Sequence, residues 1–224
     1  MELTLNWLAV LATICIPGAY EIYFWYAQRR KPERVTTSAH ATMREDWFLS
    51  LSEVKGTEIV AVQTIRNSVM AATLTASTSA LGLIGTITIS ASALFDTFGA
   101  NTPSMRAITP RLVLELVLLA LLFASMVSSM MAVRFYNHVG FIGGIPVGSA
   151  ERKRWTSFGV MYVRRAGVLY SWGLRHLVVI APILACILHP AAGPLAALVT
   201  LAVLVHFDRV AANMIQAETN VLSQ

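Results

Sequence analysis

The chain has 224 residues, of which 56% are hydrophobic and only 13% charged, with a formal net charge of +5. So apolar a composition excludes an ordinary soluble domain and fits a polytopic membrane protein. The positive balance does not call for nucleic acid: the lysines and arginines gather beside apolar stretches, where anionic lipid accounts for them.

Five apolar stretches organise the chain: Leu5–Tyr26, Val69–Phe95, Leu112–Val133, Leu177–Leu188 and Leu195–Phe207. A hydrocarbon layer about 30 Å thick takes about 20 helical residues. The first three stretches meet that length and the last two are shorter, with Pro190, Gly193 and Pro194 between them. The first has Glu2 where a secretory signal has basic residues, and it ends in bulky Tyr23, Phe24, Trp25 and Tyr26. It is expected to stay as a span, with Trp25 and Tyr26 at the interface.

Orientation follows from the basic residues. Arg29, Arg30, Lys31, Arg34, Arg44, Lys55 and Arg66 follow the first stretch, and Arg134, Arg152, Lys153, Arg154, Arg164, Arg165 and Arg175 follow the third. Only Arg106 and Arg111 lie between the second and third, and none lies between the last two. The bias puts both basic segments in the cytoplasm, the N-terminus outside and the C-terminus inside. A bacterial inner membrane fits best.

The expected fold is an all-α integral membrane protein, a single domain over 1–224, with spans near 4–27, 67–95, 110–135, 174–189 and 193–209. Four spans result if the last two stretches form one broken helix, and a re-entrant hairpin is a further alternative. Two cytoplasmic segments, near 44–66 and 152–172, space Trp47, Leu51, Val54, Ile65 and Trp155, Phe158, Tyr162, Leu169 roughly at helical period. They are expected as amphipathic interfacial helices with almost no extramembrane domain. The alternative is a span prolonged into the cytoplasm.

The second span carries a row of small residues, Ala72, Thr75, Ser79, Gly82, Thr86, Ser90 and Ala93. Such a row serves close helix packing, or lines a polar path. A second pattern lies at the cytoplasmic ends, where Glu21, Gln63, Arg66, Asn67, Arg134, Asn137, Arg175 and Asp208 are expected at one depth as a polar belt. Ionised groups there need partners or water, so Glu21 and Asp208 are expected to meet some of Arg66, Arg134 and Arg175. The belt either ties the bundle together or forms a vestibule for anions or lipid headgroups. Arg111 and Glu115 are expected to pair within one helix turn.

Cys15 and Cys186 read as small core residues. His138, His176 and His206 lack ligand spacing, so no metal or cofactor is expected. No nucleophile elbow, phosphate loop or zinc-protease motif is present, and the chain is read as no enzyme. The glycines of Phe141–Gly148 read as a turn ended by Pro146.

Several strings resemble one family: AVQTIRNSVMAATLTASTSAL (Ala61–Leu81), VRFYNHVGFIGGIP (Val133–Pro146) and GLRHLVVIAPILACILHPAAGP (Gly173–Pro194), with weaker likeness in EIYFWY (Glu21–Tyr26) and HFD (His206–Asp208). Together they resemble the membrane family called domain of unknown function five-nine-nine. The resemblance implies an integral membrane protein and brings no established activity. It favours a role for Gln63, Arg66, Asn67, Arg134, Asn137 and Arg175. The chain departs from the family at Leu188-His189-Pro190, where an aromatic-Gly-Pro turn is usual.

The functional expectation is a homo-oligomeric channel- or transporter-like assembly with a basic cytoplasmic mouth and a path along Thr75, Ser79, Gly82, Thr86 and Ser90. Its partners would be membrane lipids and further copies of the chain, with no nucleic acid. The competing expectation is a structural or accessory subunit of a larger membrane complex.

Overall fold

Six helices make up the computed structural model, which describes residues 2–30, 36–98 and 108–222. They are α1 (Glu2–Arg30), α2 (Thr36–Glu53), α3 (Glu58–Phe98), α4 (Pro110–Gly143), α5 (Ala150–Leu188) and α6 (Ala192–Leu222). No strand occurs among the described residues. Lys31, Arg34 and Arg106 lie outside them, as do the side chains of Arg29 and Ala93.

Local chemistry sets the helix ends. Thr109 caps α4 by accepting from the Leu112 N–H at 3.2 Å, and Pro110 follows at the first helical position. Ser149 caps α5 through the Arg152 N–H at 3.1 Å. Between them Gly143 ends α4, and Gly148, at φ +92°, takes the left-handed conformation that admits glycine most readily. After Leu188 the chain turns at His189, whose N–H still bonds the Ala185 carbonyl at 2.9 Å, and α6 starts two residues beyond Pro190. The last two apolar stretches are therefore two helices, not one broken one.

Four helices are long and apolar enough to cross a membrane, with described candidate spans Thr4–Ala27, Glu58–Ser92, Pro110–Gly143 and Ala150–Leu188. A shorter apolar stretch, Ala192–Asp208, begins α6. The segment 152–172 is no separate helix, because it runs unbroken into 174–188 as α5. The segment 44–66 divides between α2 and the start of α3, at a turn where Thr57 bonds the Val54 carbonyl and Gly56 has φ +88°. The three longest helices, α3, α4 and α5, have 41, 34 and 39 residues.

The helix α4 lies between α3 and α5, antiparallel to both; α2 and α6 pack on α5, and α1 packs chiefly on α6. Side-chain hydroxyls tie the central three. Ser79 of α3 donates to Ser125 Oγ of α4 at 2.9 Å, and Ser125 donates to the Gly173 carbonyl of α5 at 2.8 Å. Missing side chains allow the approach: a Cβ on Gly82 would sit 2.8 Å from Leu122 Cδ2. Two cores result. One, at the basic end, joins Phe48, Ile65, Ala132, Tyr136, Val139 and Val163. The other, at the far end, joins Val10, Leu114, Leu118, Leu122, Ile183 and Cys186.

Candidate functional site

Among the described residues, Arg175 is the centre of a concentrated polar cluster. It is 8% exposed on α5 and meets acids from two other helices. Its Nε donates to Glu21 Oε1 of α1 at 3.1 Å, and its Nη1 donates to Asp208 Oδ1 and Oδ2 of α6 at 3.1 Å each. Tyr20 donates its hydroxyl to Asp208 Oδ2 at 2.6 Å. The Phe24 ring lies under the guanidinium, 3.9 Å from ring centroid to Cζ, and Trp172 stands edge-on to Phe24. A flat, delocalised cation suits this setting, since it bonds two carboxylates in its plane and stacks on an aromatic face.

Helical spacing assembles this node. Tyr20, Glu21 and Phe24 share one face of α1, and Trp172, Arg175 and His176 share one face of α5. Two buried nitrogens there, Arg175 Nη2 and His176 Nδ1, have no hydrogen-bond partner among the described residues. Arg175 lies about 20 Å from the far end of its helix at about 1.5 Å per residue.

The other belt residues are elsewhere. Gln63, Arg66 and Asn67 on α3, and Arg134 and Asn137 on α4, are exposed. The pairing of Ser125 with Gly173 sets the register, and it puts Arg134 about 15 Å nearer the basic end than Arg175. The belt expected at one depth is thus two levels. The geometric reason is where each residue falls on its helix: Arg134 comes late on α4, whereas Arg175 lies well along α5, which enters from the basic end. Glu21 and Asp208 both take Arg175, and neither Arg66 nor Arg134 is an ion-pair partner of theirs in the described residues.

The row expected to line a path is turned inward. Thr75, Ser79 and Ser90 are buried and Gly82 and Thr86 half-buried. Ser79 bonds α4 and Gly82 seats Leu122, so this row serves the α3–α4 contact. Arg111 and Glu115 pair at 2.9 Å within α4. His138 packs on Tyr162, His176 on Trp172 and His206 on Phe207, and no three metal-ligating side chains gather among the described residues.

A model of one protein family, Protein of unknown function, DUF599, matches residues 8–213. The chain belongs to that family. The comparison with curated proteins found no match, and neither did that with solved structures. In this DUF599 chain the matched region spans every residue of the node, from Tyr20 to Asp208.

Sequence reasoning missed two features of the DUF599 chain. Tyr20 and Phe24 escaped it, although their spacing around Glu21 puts all three on one face. Arg152 escaped too, read as one of a basic run. It is 1% exposed, and its guanidinium donates to the Ile142 and Ile145 carbonyls and to Ser52 Oγ, the last at 3.0 Å. It stacks over the Phe48 ring at 5.1 Å. Glu58 beside it accepts from the Val147 N–H at 2.8 Å. Arg152 therefore adds donors to the Ile142 carbonyl, which also accepts from the Ile145 N–H, and to the Ile145 carbonyl beyond the end of α4, and fastens α2 to them.

Proposed function

We propose that the chain is a homo-oligomeric channel- or transporter-like protein of a bacterial inner membrane, with a basic cytoplasmic mouth. It crosses five times, α6 included, with the N-terminus outside. The observation that carries this reading is the outward face of α3. Thr73, Ser77, Thr78 and Thr88 are exposed there, and Gln63, Arg66 and Asn67 continue the face to the basic end. Such hydroxyls can bond back to their own helix, as Thr88 does to the Ile84 carbonyl at 2.8 Å, but an ionised Arg66 turned to lipid is costly, and ionisable residues of membrane helices usually face protein or a water-filled cavity. A second copy laid against α3 supplies both. The path then runs along this outer row, since Thr75, Ser79 and Ser90 are used against α4. Arg66 and Arg134, both exposed, make the mouth basic and favour anions. No catalytic role is assigned.

Single cysteines at Ser77 and at Thr88, in a Cys15→Ser, Cys186→Ser background, test it. Oxidation in native membranes is expected to yield a cross-linked dimer from both positions. Ser77→Leu is expected to reduce anion flux from liposomes while leaving the protein folded. Monomers alone from both positions, or unchanged flux, overturn the reading.

The second reading, a structural or accessory subunit, has its own support. Arg175 is bonded to two carboxylates and an aromatic face, which suits a tie between three helices better than an open binding site.

A further inference from the structure

A cleft of about 300 Å³ opens at the basic end, between α2 and the layer of α3, α4 and α5. Trp47, Ile65, Tyr136 and Val163 supply apolar wall, while Arg44, Thr64 and Ser68 bring the polar groups, the Ser68 hydroxyl donating to the Thr64 carbonyl at 3.2 Å. Small-molecule sites have this make-up, an apolar concavity with a few converging polar groups, and the volume is at the small end of their range.

Arg44 is the unusual member. Its guanidinium lies on Gly167 of α5, so close that a Cβ there would collide with Nη1. Among the described residues its one hydrogen bond is a long contact, 3.4 Å, back to the His40 carbonyl of its own helix. The neighbouring acid is engaged elsewhere, since Glu45 pairs with Arg164 at 3.0 Å. The other inward-facing arginines each make several bonds, Arg152 to two carbonyls and Ser52 and Arg175 to Glu21 and Asp208, although Arg152 Nε and Arg175 Nη2 have no partner among the described residues. Arg44 is half-buried, charged, held in place by a glycine seat, and left with N–H donors to spare. A guanidinium in that position is suited to an oxyanion.

We propose that this cleft binds an anionic amphiphile, its carboxylate or phosphate on Arg44 and its hydrocarbon against Trp47, Ile65 and Val163. The cleft lies on the level of Tyr136, nearer the basic end than Arg175, and is open to the side. The same chemistry is offered by an anionic phospholipid of the surrounding leaflet and by a free fatty acid.

The test is native mass spectrometry of protein released from phosphatidylcholine vesicles that contain phosphatidylglycerol in one arm and oleate in the other. The wild type is expected to retain one anionic amphiphile per chain. Phosphatidylglycerol alone retained identifies the source as bilayer lipid, and oleate alone as a free amphiphile. Arg44→Gln is expected to lower occupancy by about tenfold, equivalent to about 1.4 kcal/mol. Arg44→Lys is expected to keep part of it, and exposed Lys153→Gln all of it. Ser68→Leu fills the cleft without changing charge, so it is expected to cause the same loss in a chain that still folds. Undiminished occupancy in both Arg44→Gln and Ser68→Leu overturns the proposal. So does phosphatidylcholine held as well as either anion, or a wild type that retains nothing.

Discussion

Arg175→Ala will destabilise the protein by about 3–5 kcal/mol, read as a lower thermal midpoint in detergent and less folded protein in membranes. The size follows from what the substitution strands. Glu21 and Asp208, from two different helices, lose the guanidinium that bonds both, and the Tyr20–Asp208 bond loses the cation beside it. Arg175→Lys is expected to lose less, because an ammonium keeps the charge but cannot bond both carboxylates in one plane and stack on Phe24. The triple variant Glu21→Gln, Arg175→Met, Asp208→Asn removes every charge together and is expected to recover most of the stability. That variant also separates the two readings of the node. A stable triple variant with wild-type flux makes the node a tie between helices, and a stable triple variant without flux makes it part of the transport machinery.

Arg152→Met is the second large effect, expected at about 2–3 kcal/mol and confined to the basic end. The methionine keeps the stem's volume but supplies none of the donors that reach Ile142, Ile145 and Ser52. The consequence is local opening. Amide hydrogen exchange over residues 36–53 and 144–149 is expected to speed up, while α5 beyond Gly173 keeps its protection. Equal acceleration across the far-end core around Leu118 and Ile183 would show that Arg152 does not act locally. Gly159 belongs to the same arrangement, because a Cβ there would collide with the Phe48 ring that Arg152 covers.

Much of the fold was legible because apolar length is a strong signal. The stretch Leu112–Val133 lies within α4, and the break around Pro190 lies where α5 ends. The joining of 152–172 to 174–188 was not legible. An amphipathic run there meets an apolar run, and the hydrophobic pattern changes although the backbone does not. Gly159, Gly167 and Gly173 are ordinarily poor in helix interiors, yet here each is seated against a neighbouring side chain, which offsets the loss. At the node, Glu21 and Asp208 were readable as charges needing partners. Which arginine they would choose was not, since Arg66, Arg134 and Arg175 are chemically the same. Position along the helix decides it: Arg175 is well inside its bundle, whereas Arg66 and Arg134 are on outward faces. The small-residue row carried no sign of direction either, for the same alternation of Thr, Ser and Gly suits a wall of water or a seam with α4.

The excess length of α3, α4 and α5 means that one continuous set of helices is folded by two different forces. At about 1.5 Å per residue, helices of 34 to 41 residues reach about 50–60 Å, against a hydrocarbon layer of about 30 Å. With the far ends set at one face of that layer, the core around Phe48, Tyr136 and Val163 reaches past the hydrocarbon to the wet headgroup level, and the core around Leu118 and Ile183 stays in lipid. Water drives the first together by expelling apolar surface, whereas in lipid the second is held by packing and hydrogen bonds alone. Cooling and aqueous denaturants weaken the first force and scarcely touch the second. The continuous helices join the two halves, and the relay from Ser79 through Ser125 to Gly173 crosses all three of them between the two cores.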